Sequence, residues 1–425
     1  MAVKPGYKLT EIGVIPEEWE VKPFGVLFAF RNGVNADRGS YGQGIRFINV
    51  LEPITYSHIR GPEIQGQVTL PESVFTSYEV RLGDVLFNRT SETQEEVGLA
   101  ATYLGSKQVV FGGFVIRGRP MDESLDPVYS GYALRAPCIR SQIIPMGQGA
   151  IRANIAQSNL SLVVAPVPPL SEQRAIATTL SDVDALLSAL ERLIAKKRDL
   201  QQATMQQLLT GQIRLPGFHG KWKVVQVQDV VVSFFCGPSP TCEERNVQDE
   251  SEWGVLKTTA VTKENGWDWT KHKTLPRVFW NKPHLELKQG DVIVTKAGPR
   301  HRVGVAAWVN YVPPRIIVSG KMIGLRPSPE KVVPLMLASA ISDRDAQAYL
   351  DQRTTGMAES QVNFENSALL ETPIRIPSFD EQTAIAQVLS DMDAELVALE
   401  QRLAKTRILK QGMMQELLTG RTRLL

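Results

Sequence analysis

A chain of 425 residues is too long for one ordinary domain and points to about two to four. Apolar residues at 43% and charged residues at 22% are globular values, which excludes a disordered chain and makes a packed core available. A formal charge of +2 does not announce nucleic acid, since a lone DNA binder shows a clear basic excess, and no apolar run approaches the roughly 18 residues of a membrane span.

The opening residues, MAVKPGYKLTEIGVIPEEW, lack the apolar core of a signal peptide. Up to residue 170 the chain reads as short β-rich runs bounded by Gly, Pro and Asn, the pattern of a mixed α/β domain, with a net charge of about −1. Residues 171–215, beginning SEQRAIATTLSDVDALL, read as one long helix. Ser171 is the expected N-cap after the extended PVPPL, and Gly211 is the stop. Residues 216–379 return to short β runs, with a charge of about +3. Residues 380–425 are again helical, with Asp380 as the expected cap after PIRIPSF and Gly420 as the stop. About 38 residues at 1.5 Å rise would carry each helix about 57 Å. Ser181 with Asp184, and Ser390 with Asp393, have capping-box spacing, so a kink there is an open alternative. Cys138, Cys236 and Cys242 form no CxxC pair, and the odd count fits a reducing compartment with no zinc site. A cytosolic protein is expected.

The two helical segments are a direct repeat. They align without a gap at an offset of 209, with 27 of 45 positions identical. Apolar residues recur at 4-3-4-3 spacing, as Ile176, Leu180, Val183, Leu187, Leu190 and Ile194, and again as Ile385, Leu389, Met392, Leu396, Leu399 and Leu403. This is a heptad seam, which predicts that the helices pack lengthwise as an intramolecular coiled coil. Two long core helices would carry the same stripe. Connectivity predicts an antiparallel pair. The first helix leaves one globular stretch and delivers the chain to the next, and the second must return to bring its equivalent stripe alongside. A direct repeat folded this way acquires a pseudo-two-fold axis, so that one chain imitates a homodimer.

The globular stretches form a second, weaker repeat. IPEEWEVKPFGVLF (15–28) resembles FHGKWKVVQVQDVV (218–231), which pairs Trp19 with Trp222. RLGDVLFNRT (81–90) resembles KQGDVIVTKA (288–297), and GLAATYL (98–104) resembles GVAAWVN (304–310). The frameworks match while the loops diverge, as expected of two scaffolds doing similar jobs on different targets.

A variable domain, a helix containing PPLSEQRAIA and QQLLTG, a second variable domain and the helix again: this arrangement resembles the specificity subunit of a Type I restriction–modification system. GDVLFNRTSETQEEVG (83–98) is similar to the family's recognition-domain pattern, and PSFDEQTAIA (377–386) to the entry of its second helix. The resemblance implies target recognition domains at 1–170 and 216–379, and spacer helices at 171–215 and 380–425. It implies that the domains read an asymmetric, two-part site on double-stranded DNA. It further implies that two methyltransferase subunits dock on the chain and methylate adenine with S-adenosylmethionine, which they bind and this chain does not. A translocating ATPase–nuclease subunit is a further possible partner.

DNA reading needs Arg or Lys for guanine, Asn or Gln for adenine, and hydroxyls, amides and cations for phosphates. Three stretches of the first domain supply them. The first spans residues 31–46, with Arg31, Asn35, Arg38 and Tyr41 among glycines; the second is Asn88, Arg89, Thr90 and Ser91; the third, GQGAIRANIAQSN, offers Arg152, Asn154 and Gln157. The matching places in the second domain are Lys257 with Thr258, then Lys296 with Arg300, His301 and Arg302, then Arg353 with Gln361 and Asn363. Arg89 aligns with Lys296, but the next loop is acidic in one copy (Glu92, Glu95, Glu96) and basic in the other. That divergence marks it as a candidate specificity loop. The plainer reading pairs Arg89 with Glu95 or Glu96 on an ordinary surface. Trp253, Trp267, Trp269 and Trp280 have the chemistry to stack on unpaired bases, but packing is the commoner role.

Catalytic motifs do not assemble. Asp126-Pro127-Val128-Tyr129 only faintly echoes the motif an adenine methyltransferase uses, and neither GxGxxG nor GxxxxGK[ST] is present to hold a cofactor or ATP. Glu286-Leu287-Lys288 matches the end of a nuclease motif, at a length where chance matches are frequent. The expectation is a non-catalytic subunit. Its rivals are a fused enzyme that acts on DNA alone and a scaffold whose end domains grip proteins. Glu191, Lys196 and Arg198 recur as Glu400, Lys405 and Arg407. Their spacing suits intrahelical salt bridges, and their repetition also suits twin docking sites.

Overall fold

The structure is a computed structural model that describes residues 4–149, 152–262 and 266–424, the side chain of Met357 excepted. The chain divides into two compact units. One comprises Met1–Arg192 with Glu400–Leu425, the other Leu193–Leu399.

The first unit is built on the strand Val85–Asn88, whose four residues are all buried, as an uninterrupted apolar run requires. It is the centre of a five-stranded sheet in the order Phe28–Asn32, Val115–Pro120, Val85–Asn88, Ala100–Tyr103 and His58–Ile59, antiparallel except for the last pair. A four-stranded sheet includes Tyr41–Ile48 and Val109–Phe111 as a parallel pair. The second unit repeats the plan on Val292–Thr295, flanked by Met322–Pro327 and Ala306–Trp308. The register is the same in both copies: Val115 lies opposite Asn88, and Met322 opposite Thr295. Both units are therefore mixed helix and sheet. The repeat noticed in sequence is a repeat of strand pairing.

Buried charge stabilises both frameworks. Asp84 accepts the Arg81 amide at 2.8 Å and two bonds from Arg119 at 2.9 and 2.7 Å, while Asp291 accepts the Lys288 amide at 2.9 Å and lies 3.6 Å from Arg326. Burial pushes the Asp291 carboxyl above its usual range. Asp84 holds the Arg119 guanidinium above its own, and burial lowers that of Arg117.

The two long helices run Leu170–Leu209 and Phe379–Leu417. Neither breaks at the serine–aspartate pairs. Asp184 instead accepts the Tyr132 hydroxyl at 2.7 Å and pairs with Lys410 at 2.6 Å, and Asp393 accepts Gln201 at 2.6 Å. The expected N-caps are corrected. Pro169 and Ser378 accept the first helical amides, from Gln173 and Gln382, both at 3.0 Å, and the Ser378 hydroxyl also accepts the Glu381 amide. Ser171 and Asp380 lie within the first turn, because the carbonyls before them are already placed by the preceding strands. The stops hold. Gly211 and Gly420 have φ of +71° and +68°, a region costly for any residue with a β-carbon.

In the first unit the opening turns of the first helix run antiparallel to the closing turns of the second. Ile176, Leu180, Leu417 and Leu418 share one core, and Arg407 meets Glu191 at 2.6 Å. In the second unit the roles exchange. Leu208 shares a core with Ile385 and Leu389, and Lys197 meets Glu395 at 2.7 Å. The seam is thus an antiparallel helix pair. The Glu191–Arg407 bridge joins one helix to the other, which corrects the intrahelical reading for these two residues. A clasp closes each pairing. Buried Glu172 receives Arg423 at 2.6 and 2.9 Å and the Trp19 indole N–H at 2.8 Å. Equally buried Glu381 receives a two-pronged contact from Arg214. The acid at the start of each helix is neutralised by the arginine just past the end of the other, since a buried carboxylate without such a partner would be very costly.

Candidate nucleic-acid interface

The central strand of the first unit ends where polar chemistry begins. Asn88 is fully buried and donates to the Glu96 carbonyl at 3.1 Å, and its own backbone exchanges bonds with Gly98 and Leu99, so it ties the following loop back to the sheet. Arg89 is the first side chain to emerge. Its amide donates to the Phe114 carbonyl at 2.8 Å and its guanidinium to the Gly113 carbonyl at 3.3 Å. The pairing with Glu95 or Glu96 does not form; Glu96 accepts from buried Ser91 at 2.7 Å instead. Thr90–Ser91 pairs with Ala153–Asn154, and the Thr90 hydroxyl donates to Asn154 at 2.6 Å. Gln157 opens the short helix that follows. Asn35 reaches the same place, since a β-carbon on Gly113 would sit 2.0 Å from its Oδ1.

The second unit repeats these bonds with different side chains. Thr295 is buried at the position of Asn88, and its backbone meets Gly304 and Val305. The Lys296 amide donates to the Lys321 carbonyl at 2.8 Å, and its ammonium donates to Asn366 at 2.9 Å. Ala297–Gly298 pairs with Val362 and Asn363, and Gln361 lies exposed on the same strand. The polar residues predicted around Arg89 and Lys296 therefore do converge, on two equivalent surfaces.

Others lie apart from this convergence. Arg31 covers the Tyr78 ring at 5.0 Å. Arg38 is exposed in a short turn, and Tyr41 packs on Phe47 while its hydroxyl accepts the Ala36 amide. Arg353 lies over Tyr349, 3.5 Å from the ring centroid. Lys257 and Thr258 line a cavity with Ser239, Lys273 and Lys321, where Glu244 pairs with Lys257 at 3.6 Å.

The divergent loop carries its own compensation. Glu92 pairs with Arg152 at 3.7 Å, while in the second unit Arg300 pairs with Glu359 at 3.0 Å and with Asp351. The loops at 92–96 and 299–302 thus have opposite charge, and each meets the opposite sign on the neighbouring hairpin. Asp351 and Glu359 hold the Arg300 guanidinium above its usual range. His301 is exposed and Arg302 half-buried.

The tryptophans pack. Trp253 is buried, Trp267 donates its indole N–H to Tyr311 at 2.8 Å, Trp280 donates to Leu275 at 2.6 Å, and Trp269 stacks on His272. The suspected catalytic fragments also have structural roles. Asp126 caps a short helix through the Val128 and Tyr129 amides at 2.9 and 3.0 Å. Glu286 accepts the amide of Arg315, which has φ of +63°. Among the described residues no group of His, Cys, Asp and Glu is placed to hold a metal, and no helix is long and apolar enough to cross a membrane. Sequence reasoning missed Phe114, Ser239, Lys321 and Asn366. The only signal for Phe114 and Lys321 was a Gly-containing turn in each copy, legible once Arg89 and Lys296 are aligned.

The two units repeat one polar loop frame and differ in its side chains. Residues 219–406 match the family model described as the Type I restriction modification DNA specificity domain. The chain is 25% identical to the MjaX type I restriction enzyme specificity subunit of Methanocaldococcus jannaschii, over 98% of this chain and 96% of that one. It is 30% identical to the EcoEI type I restriction enzyme specificity subunit of Escherichia coli, over 43% of this chain and 30% of that one. The fold is shared with the HsdS subunit from Thermoanaerobacter tengcongensis, at a TM-score of 0.53 and 18% identity, covering 96% and 98% of the two chains. Residues 219–406 thus match a Type I DNA specificity domain, and the relative that aligns over nearly the whole chain is a specificity subunit of a Type I restriction enzyme, which together indicate a specificity subunit of a Type I restriction–modification system.

Proposed function

We propose that this subunit reads an asymmetric two-part site on double-stranded DNA, one part with each recognition domain, and carries two adenine methyltransferase subunits to it. The recognition domains are taken as residues 1–170 and 216–379, and the spacer helices as 171–215 and 380–425. The observation that supports this most is the repetition of the backbone frame beneath Arg89 and Lys296, with Asn154 and Asn363 at the same pairing position but different neighbours. Equal frames with unequal side chains suit two related half-sites of different sequence. S-adenosylmethionine belongs to the partner methyltransferases, and the complex works in the cytoplasm. A translocating nuclease subunit is compatible with this reading and is not required by it. With a formal charge of only +2, the chain alone should bind DNA weakly.

Single-molecule sequencing of adenine methylation tests the proposal, in cells carrying the chain and its methyltransferase against cells lacking the chain. A split, asymmetric motif that disappears with the chain is expected, and Arg89→Ala should relax one half of it while Lys296→Ala relaxes the other. An unchanged methylation pattern, with the methyltransferase present and active, would refute the reading.

A further inference from the structure

Both units present a turn beside the emerging Arg89 or Lys296. In the first unit it is residues 112–114, between the strands Val109–Phe111 and Val115–Pro120. The Val115 amide closes it on the Gly112 carbonyl at 2.9 Å, and the Gly113 amide donates to Val34 at 2.9 Å. In the second unit residues 319–321 do the same, with Met322 bonded to Ser319 and Gly320 to Pro238, both at 3.0 Å. A β-carbon on Gly113 would collide with Asn35, and one on Gly320 would lie 2.5 Å from the Ser239 hydroxyl. A side chain at either glycine would have to push that polar group aside, so each turn lies directly against the polar residue at its flank.

The residue that follows each glycine differs in chemistry. Phe114 is 50% exposed, next to the Arg89 guanidinium and near Asn35. Lys321 is exposed on the rim of the cavity that also holds Lys257, Lys273 and Thr258. A single exposed aromatic is ordinary on a protein surface. One that takes the same place in its unit as an exposed lysine in the other, beside the side chains best suited to bases, is less so. Neither tip contributes a side-chain hydrogen bond to its own framework; each contributes only its carbonyl, which accepts the Arg89 or Lys296 amide.

Resting on the DNA-reading proposal above, we infer that this turn is a second DNA contact in each unit, apolar in the first and ionic in the second. The Phe114 ring packs against base edges, the thymine methyl being the apolar group a groove displays. The Lys321 ammonium takes a backbone phosphate, which positions the unit without reading sequence.

The test uses the full complex with its methyltransferase and a duplex carrying the motif found by methylation sequencing, titrated across salt concentrations. Lys321→Ala should reduce the slope of log K against log salt by about 0.9 and weaken all sequences alike. Phe114→Ala should leave the slope unchanged, weaken the cognate duplex about tenfold and relax one position of one half-site. Phe114→Leu should retain most of the selectivity, and uracil in place of thymine at that position should reproduce the Phe114→Ala loss in the unaltered protein. Selective binding by the wild-type complex, with both alanine variants indistinguishable from it, would overturn the turn contact alone. Absence of selective binding by the wild-type complex would overturn the DNA-reading proposal and this inference with it.

Discussion

Asp84 sits at the foot of the Arg89 strand with almost no access to solvent, between the guanidinium groups of Arg119 and Arg117. Removing one partner of a buried ion pair leaves the other charge uncompensated, which typically costs about 3–5 kcal/mol. Asp84→Ala is therefore expected to destabilise the first unit by that amount, read as a shift in its urea-unfolding midpoint. A shift under about 1 kcal/mol would mean that water replaces the carboxylate. His58 is a second buried group with a directional consequence. Its ring contacts Val128 O at 2.8 Å and lies against Tyr132, and burial depresses its pKa below the usual value. The Val128 hydrogen bond and Asp184 oppose this shift, and nearby Arg60 and Lys410 add to it. A group whose folded-state pKa is depressed contributes stability that is present above its unfolded value, about 6.5, and is lost as pH falls through the folded value. The first unit should accordingly lose stability on acidification below about pH 6.5, and His58→Gln should flatten that dependence in thermal melts at stepped pH.

At the scale of elements, the three glycines of the long helical repeats give opposite expectations. Gly420 has φ of +68°, and a β-carbon there would lie 2.5 Å from the Pro16 ring. Gly420→Ala should cost about 1–3 kcal/mol, from backbone strain and the displaced proline together. Gly211 is also at positive φ, where the added carbon would meet the Trp222 ring at 3.0 Å. Gly412 lies inside the second helix, exposed, with nothing within 4 Å of its would-be β-carbon. Gly412→Ala should therefore stabilise by about 0.5–1 kcal/mol, since alanine restricts the unfolded chain and suits a helix. Equal effects at positions 412 and 420 in denaturant unfolding would contradict this account. The Glu172–Arg423 and Glu381–Arg214 clasps belong to the same scale. Each ties the start of one helix to the end of the other, so a truncation that removes Arg423 strands a buried carboxylate.

For the whole molecule, the repeated helices have two consequences under the proposed function. Paired positions such as Glu191 and Glu400, or Lys196 and Lys405, recur at the common offset of 209. Two copies of the methyltransferase per chain are therefore expected in native mass spectrometry at saturation, and a single copy would refute twin docking. A heptad inserted at matching levels in both helices keeps the seam in register and adds about 10 Å of helix. The unread spacer between half-sites should then lengthen, by roughly three base pairs at most, as methylation sequencing would report.

What the sequence determined by itself was whatever local pattern controls. The helix repeat, its heptad seam and its glycine stops were legible because helical periodicity and left-handed backbone positions are written in consecutive residues. The alignment of Arg89 with Lys296 was legible because one strand frame had been copied. The N-caps at Pro169 and Ser378, the burial of Asn88 and Ser91, the charge-reversed pairs of the divergent loops, and the meeting of Arg89 with Gly113 and Phe114 were decided only by tertiary structure. Each depends on residues distant in the chain, as with Glu172 and Arg423, 251 positions apart. Which polar side chain is freed for a ligand and which one stabilises the protein itself follows from those long-range neighbours, and residue type does not distinguish them.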